Sequence, residues 1–245
     1  MFPLKDDIQS RTVPFVTCGL IALNILIFLY QITLQGEGSG VGLRAARDFV
    51  YEFGLVPCRL TGDCAPGGGL LPPALTVLSS MFVHGGFLHV GGNMLYLWIF
   101  GNNVEDTLGH ARFLVFYLVS GVAAAAAQVA LSAASSVPMI GASGAVAGVL
   151  GAYLLLFPRA NVLTLIIFGF FVRLVRIPAV FVLGFWFVVQ FLSGLATWAT
   201  SGARGEAAGG ETAWFAHLGG FLAGMVLLFV LRPRDPWARG PSRSW

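Results

Sequence analysis

Long apolar runs separated by short polar connections dominate the chain. A helix that crosses the hydrocarbon core of a bilayer needs about 20 predominantly apolar residues. Six segments approach this pattern, and they predict transmembrane helices at about 15–34, 87–101, 112–132, 143–157, 178–199 and 213–231. The second helix has an alternative start at Leu75. The fourth is short, as expected for a helix that is surrounded by protein rather than by lipid.

The connections between these helices complete the predicted organisation. Residues 1–14 form an N-terminal segment, 15–231 a membrane domain and 232–245 a C-terminal tail. The longest connection, 35–74, is rich in Gly and Pro, and its length indicates a segment that folds onto the membrane surface. A further apolar run, 161–175, is interrupted by arginine. It is either a seventh span or, as we favour, an interfacial or re-entrant segment that leads into the fifth helix.

The composition agrees with a membrane protein. Of the 245 residues, 57% are hydrophobic and 10% are charged, whereas soluble domains carry about 25% charged residues. The mean hydropathy of +0.82 points the same way. This apolar composition places the chain in a lipid bilayer. The formal net charge is only +3, which argues against a nucleic-acid partner.

The basic residues are unevenly distributed over the six-helix arrangement. With the N-terminus inside, the inner segments hold ten of the fourteen Lys and Arg residues, which leaves four outside. The outer four are Arg44, Arg47, Arg59 and Arg204. Cytoplasmic segments carry an excess of Lys and Arg, so both termini are predicted to be cytoplasmic. The short loops and the lack of a targeting segment favour a bacterial inner membrane.

Some polar and thiol groups are assigned to structure rather than to chemistry. The stretch 102–106, which follows the second helix, is predicted to tie helix ends. Cys58 and Cys64 share one polar loop and form a disulfide if that loop faces an oxidising compartment, or otherwise remain two free thiols. Cys18 lies in an apolar run and is predicted to be a buried, inert thiol.

A serine stands at the start of the predicted fourth helix, in the string Gly141-Ala142-Ser143-Gly144. Polar groups inside a membrane are costly and are therefore candidates for function. The free N–H groups and positive potential of a helix N-terminus would stabilise an oxyanion. The same small residues also suit plain helix packing, because Gly144 and Gly148 are four residues apart.

A histidine, His217, lies near the start of the sixth helix, one turn before Gly220. Gly220 and Gly224 form a small-residue face that lets this helix approach a neighbour closely. Because His217 shares that face, it is either a general base directed at the neighbouring helix or a structural histidine bonded to a carbonyl.

The second helix carries His89 and Asn93 four residues apart, and therefore on one face. Both side chains can donate hydrogen bonds. A metal site is the alternative, but two histidines and an amide without a carboxylate or thiolate would bind a metal poorly. His84 lies near the mouth of the same helix and is assigned to loop support. We therefore predict no metal and no cofactor.

The predicted topology brings these side chains to one depth. The second, fourth and sixth helices run in the same direction. At 1.5 Å per residue, His89, Ser143 and His217 each lie within roughly 10 Å of the outer boundary. His217 would activate the Ser143 hydroxyl, and Asn93, His89 and the Ser143 N–H would stabilise the oxyanion. No carboxylate lies at this depth, so a Ser–His dyad is predicted rather than a triad.

Three strings, in order, resemble those of rhomboid intramembrane proteases: H-V-G-G-N at 89–93, G-A-S-G at 141–144 and A-H-L-G-G-F-L-A-G at 216–224. The resemblance covers nearly everything from about 15 to 231. It implies a rhomboid-like, all-α bundle of six transmembrane helices with a long first external loop. It also implies a Ser143–His217 dyad, an oxyanion site lined by His89 and Asn93, and His84 near the mouth. The implied substrates are membrane proteins cleaved near the outer end of their helix.

The sequence departs from this family pattern at two places. Some rhomboids carry a tyrosine one turn after the nucleophile, on which the histidine ring stacks, but here that position is Ala147. The Trp-Arg pair of some first outer loops is absent from 35–74. What orients His217 is therefore left open by the sequence.

Two other functions compete with proteolysis. A rhomboid-like protein can bind or handle membrane-protein clients without cutting them, but inactive relatives lack the serine or the histidine. A transporter or channel would need ionisable groups at mid-bilayer, and the predicted spans hold none except near their ends. The sequence sets no oligomeric state and names no physiological substrate.

Overall fold

A computed structural model describes residues 2–36, 40–64, 69–169, 171–201 and 213–233. The helices in chain order are α1 (Phe15–Gln35), α2 (Gly40–Phe53), α3 (Pro57–Thr61), α4 (Pro73–Ser79), α5 (Phe87–Tyr96), α6 (Asn102–Leu108), α7 (His110–Leu131), α8 (Ser143–Leu156), α9 (Ala179–Ser201) and α10 (Trp214–Leu231). A 3₁₀ turn, Ser80–Phe82, follows α4, and a π-helical turn, Leu97–Gly101, joins α5 to α6. The strands are β1 (Phe2–Asp6), β2 (Asn161–Phe168) and β3 (Phe171–Pro178).

The helices form a multi-pass membrane bundle, which confirms the predicted fold class. Among the described residues, α1, α7, α9 and α10 are each long and apolar enough to cross a membrane. Pro73–Phe82 and Phe87–Leu108 would add a fifth span if taken together, but an 81° bend separates them. The chain therefore turns sharply before α5 rather than entering one straight helix at Leu75.

The helix that begins at Ser143 lies in the middle of this bundle. It has 14 residues, and every residue from Gly144 to Tyr153 is buried. A helix surrounded by protein does not need to match the thickness of the hydrocarbon core, which explains why α8 is shorter than a lipid-facing span.

The apolar run 161–175 is a β-hairpin, so a seventh helical span is wrong, whereas the favoured interfacial or re-entrant placement stays a prediction. Strands β2 and β3 pair antiparallel from Asn161 opposite Pro178 to Phe168 opposite Phe171, and β1 pairs with the other edge of β2. β-Branched and aromatic residues favour strands over helices, and this run is rich in them. The hairpin does lead directly into α9.

The N-terminal segment is also ordered, because β1 is anchored to the helical bundle. The Asp6 carboxylate accepts hydrogen bonds from Tyr153 Oη of α8 at 2.6 Å and from Asn103 Nδ2 of α6 at 2.7 Å. Burial raises the pKa of Asp6 above its ordinary value. The side of the membrane that holds this segment stays a prediction.

The polar stretch after α5 ties helix ends, as predicted. Glu105 is completely buried, and its carboxylate accepts hydrogen bonds from Val16 N, Thr17 N and Thr17 Oγ1 at 2.6–2.9 Å. These N–H groups belong to the first turn of α1, where a helix has no internal acceptors for them. Asp106 likewise accepts from Arg11 N and Thr12 N.

The long first connection is partly helical and contains a disulfide between Cys58 and Cys64. Its residue Leu55 exchanges two backbone hydrogen bonds with Met139, of 3.0 and 2.7 Å, which ties it to the segment before α8. The prediction for Cys18 is wrong, because its side chain is exposed. It lies on the face of α1 that turns away from the protein.

Helices α8 and α10 pack with their backbones in direct contact. A Cβ atom placed on Gly220 would overlap the carbonyl of Gly144, and one on Gly224 would overlap the backbone of Gly148. A Cβ on Gly144 would lie 2.5 Å from the Cβ of Ala124 on α7. Gly220 and Gly224 therefore stand where backbones meet without intervening side chains, and Gly144 lets α7 approach α8 closely, as in other small-residue helix contacts.

Replacing Gly224 by Ala is expected to destabilise the bundle by about 1–3 kcal/mol, because the added methyl overpacks a backbone contact. Gly19→Ala in α1 is the matched control, since a Cβ there meets nothing within 4 Å. The measurement is unfolding in mixed detergent micelles followed by circular dichroism. Equal stability of the two variants would contradict the prediction.

Candidate active site

A serine hydroxyl and an imidazole meet between α8 and α10. Ser143 is the first residue of α8 and His217 the fourth of α10. Ser143 Oγ lies 2.7 Å from His217 Nε2, and His217 is only 7% exposed. This distance is within the reach that a general base needs to take the serine proton.

The loop before Ser143 is held by two hydrogen bonds from its backbone N–H groups. Gly141 has a φ of +116°, and its N–H donates to Ser80 O at 2.9 Å. Ala142 N donates to His84 Nε2 at 3.4 Å. Because a side chain is disfavoured at this φ, a glycine at 141 lets the chain turn into α8 and present Ser143 to the bundle.

His84 contacts this loop through a hydrogen bond, and its assignment to loop support stays a prediction. It is 1% exposed, and its backbone exchanges two hydrogen bonds of 3.0 Å with the side-chain amide of Gln31 on α1. Its Nδ1 lies 3.3 Å from Phe82 O and so carries the proton, which leaves Nε2 to accept from Ala142 N. A histidine with both nitrogens occupied in this way positions the loop and has no free nitrogen for a substrate.

His89 and Asn93 face the backbone just before the serine. A Cβ on Gly141 would lie 2.5 Å from His89 Nε2 and 3.6 Å from Asn93 Nδ2. Gly85 N donates to His89 Nδ1 at 3.4 Å, so the proton of a neutral His89 lies on Nε2. Both side chains therefore direct N–H donors toward the space beside Ser143.

The Asn93 amide is buried and carries an unpaired donor. Its Nδ2 has no hydrogen-bond partner in the described part of the chain. Leaving a buried donor unsatisfied costs about 1–3 kcal/mol, so such groups are rare unless they serve a function. Among the unpaired buried atoms of the described residues, Asn93 Nδ2 is the one whose residue lines the cavity that holds Ser143 and His217.

These groups line one open cavity of about 700 Å³. Its walls include His89, Asn93, Gly141, Ser143, Trp186 and His217. Volumes of this size accommodate ligands as large as several peptide residues. The structure thus brings together four of the predicted site residues, Ser143, His217, His89 and Asn93, and leaves His84 behind them as support.

Sequence reasoning missed the contribution of α9. Gln190 Oε1 lies 2.6 Å from His217 Nδ1, and the Trp186 ring lies 5.9 Å from the His217 ring at an angle of 36°. Gln190 is the one Asn or Gln in the apolar run 178–199. That polar group inside a span was the signal that could have revealed it.

Fold and site together define a multi-pass membrane protein in which a part-buried serine contacts a buried histidine at the wall of a cavity. The family model of the Rhomboid domain matches residues 73–234, about two thirds of the chain. The chain therefore belongs to the rhomboid family.

Named relatives agree with this assignment. "Rhomboid protein 1, mitochondrial" of Saccharomyces cerevisiae is 35% identical over 160 residues, which are 62% of this chain and 40% of the yeast protein. "Rhomboid protease GluP" of Bacillus subtilis is 40% identical over 78 residues, 32% of this chain and 15% of that protein. "Rhomboid protease AarA" of Providencia stuartii is 27% identical over 110 residues, 45% and 34% of the two chains. The matches thus span less than half the length of each relative.

Gly141→Ala is expected to lower the stability of the folded protein by about 1–3 kcal/mol, the typical cost of a side chain in a left-handed conformation. The methyl would also displace His89, since the built Cβ lies 2.5 Å from its Nε2. Gly85→Ala is the control, because its Cβ would make an ordinary 3.6 Å contact with the same histidine. Thermal unfolding in detergent measures both, and a shift of the same size in each would contradict this account of Gly141.

Proposed function

We propose that the protein is an intramembrane serine endopeptidase that hydrolyses peptide bonds of transmembrane-protein substrates through a Ser143–His217 dyad. The observation that carries the proposal is the 2.7 Å contact between Ser143 Oγ and His217 Nε2 inside a membrane bundle. Family membership and the names of two bacterial relatives, both called proteases, support it.

In the first half of the proposed reaction, Ser143 Oγ attacks the scissile carbonyl carbon while its proton passes to His217 Nε2. The carbonyl oxygen becomes an oxyanion. His217 then gives the proton to the leaving amine, the C–N bond breaks, and an acyl-serine remains. In the second half, water attacks the ester carbon and loses a proton to His217. Return of that proton to Ser143 Oγ releases the carboxylic acid and restores the serine.

Three donors surround the position of the oxyanion. They are Asn93 Nδ2, the Nε2–H of His89, and the backbone N–H of Ser143, which lies in the first turn of α8, where N–H groups have no internal acceptor. Preorganised donors aimed at developing charge commonly make the largest contribution to such catalysis. The unpaired state of Asn93 Nδ2 is what such a role requires, because its partner appears only with the substrate.

The membrane orientation and location are part of the proposal. The excess of Lys and Arg in the segments assigned to the inside supports cytoplasmic termini and a site near the outer face. We place the protein in a bacterial inner membrane, as the bacterial relatives suggest, although the yeast relative is named mitochondrial.

A second function would use the same fold without chemistry, as a protein that binds membrane-protein clients. It would not require a serine and an imidazole in hydrogen-bond contact, nor a donor left unpaired beside them. Proteolysis accounts for both features, so it is the function that we favour.

The direct test is cleavage of a reporter with one transmembrane helix by the purified protein in liposomes. Ser143→Ala and His217→Ala should each abolish product formation, because one removes the nucleophile and the other the base. Circular dichroism checks that both variants remain folded. Cleavage by folded Ser143→Ala would exclude the mechanism, and an inactive wild type that still binds the reporter would favour the client-binding function.

Asn93→Ala should lower kcat by about 10-fold or more with a smaller effect on KM, as is typical for the loss of one oxyanion donor. The matched control is Asn24→Ala on α1, which also removes a buried amide with an unpaired atom, but outside the cavity. Steady-state cleavage of the same reporter measures both variants. Equal losses of kcat would show that Asn93 acts through stability alone.

A further inference from the structure

The position of the His217 ring requires an explanation, because α8 offers no aromatic ring one turn after Ser143. Ala147 occupies that position and is completely buried. The contacts to the imidazole come instead from two other places. Trp214 of α10 approaches it edge-on, with ring centres 6.3 Å apart, while Trp186 and Gln190 of α9 lie one turn apart on a common face.

We propose that Gln190 is a positioning residue for the reaction: its side-chain carbonyl accepts a hydrogen bond from His217 Nδ1–H and so keeps the Nε2 lone pair directed at Ser143. The inference rests on the proposed function and adds a residue that positions its general base. Gln190 does not touch the reacting atoms. It acts through the histidine.

The two contacts of the imidazole demand opposite roles of its nitrogens. A neutral imidazole has one N–H and one lone pair. The oxygen of Gln190, 2.6 Å from Nδ1, takes the N–H, and Ser143 Oγ, 2.7 Å from Nε2, then faces the lone pair. This is the tautomer that a general base needs, and the acceptor on the far nitrogen selects it.

Burial explains why an amide rather than a carboxylate lies beside His217 Nδ1. Gln190 is 7% exposed, and so is His217. A carboxylate here would have to stay ionised away from water, which is costly without a partner. An amide oxygen accepts the same hydrogen bond without a charge, and it continues to accept when His217 carries the serine proton.

The Gln190 side chain also carries an NH₂ group, which donates hydrogen bonds and therefore allows the proposal to be tested. If the NH₂ of Gln190 faced Nδ1, it would donate, and the imidazole proton would move to Nε2, toward Ser143. Such a histidine could not act as a base. A side chain that only accepts should therefore preserve activity, whereas one of similar size that neither accepts nor donates strongly should not.

The kinetic experiment compares Gln190→Glu with Gln190→Met in reporter cleavage over a range of pH. Met should lower kcat by about 10-fold or more with little change in KM, because base catalysis of this kind contributes about 10²–10⁴-fold. Glu should retain most of the wild-type kcat. Its carboxylate would favour the imidazolium, so the acidic limb of its pH–rate profile should move to higher pH.

The control is Val188→Met on the same helix, where the side chain is 51% exposed and should leave kcat unchanged. Circular dichroism and thermal unfolding confirm that every variant compared is folded. A folded Gln190→Met with wild-type kcat would overturn the proposal. So would a folded Gln190→Glu that is as inactive as Gln190→Met.

A measurement without turnover separates this inference from the proposed function. Nitrogen NMR of ¹⁵N-histidine-labelled protein reports the tautomer, and His217→Ala identifies the signal among the four histidines. The wild type should carry the proton on Nδ1, and Gln190→Met should lose that preference. If the tautomer responds but the wild type never cleaves, the proposed function fails and the role in positioning stands. If the wild type cleaves the reporter but the His217 tautomer is the same in Gln190→Met, the positioning role is wrong and the proposed function stands.

Discussion

Everything at the candidate site depends on how closely α8 and α10 approach each other. Gly220 lies against the carbonyl of Gly144, and Gly224 lies against the backbone of Gly148. A side chain at either place would push the helix axes apart, and the 2.7 Å contact between Ser143 and His217 would open. In lipid, where helices gain little from hydrophobic burial, such small-residue contacts are a main source of association. The same contact thus stabilises the bundle and brings Ser143 and His217 together.

Around this contact, several polar groups inside the bundle are bonded to partners from distant parts of the chain. Glu105 takes up the free N–H groups of α1, Gln31 holds the backbone of His84, and His84 in turn holds the loop before Ser143. Among the unpaired buried atoms of the described residues, Asn93 Nδ2 is the one whose residue lines the cavity. A buried donor that costs stability and faces an open cavity is expected at a site that binds an acceptor.

The part of the site that could be predicted from sequence comes from local patterns. Ser143, His217, His89 and Asn93 are polar residues at the ends of apolar runs, and helix periodicity places them at one depth. Gln190 was missed because it stands in the middle of a run that reads as lipid-facing, and only the packing of α9 beside α10 shows that it meets His217. The pairing of the β-hairpin with β1 was missed because the partner strand lies about 160 residues away in the chain.

The sequence by itself determined that the chain is a membrane protein. It also determined the starting positions of the long apolar helices and the polar residues that are unusual within them. These are consequences of transfer free energy and helix periodicity, which act over one or two turns. Only the tertiary structure decided which nitrogen of His217 meets the serine, what lies behind that ring, and how the apolar run before α9 folds. Those outcomes depend on contacts between segments far apart in the chain, and no local pattern encodes the distance between two side chains on different helices.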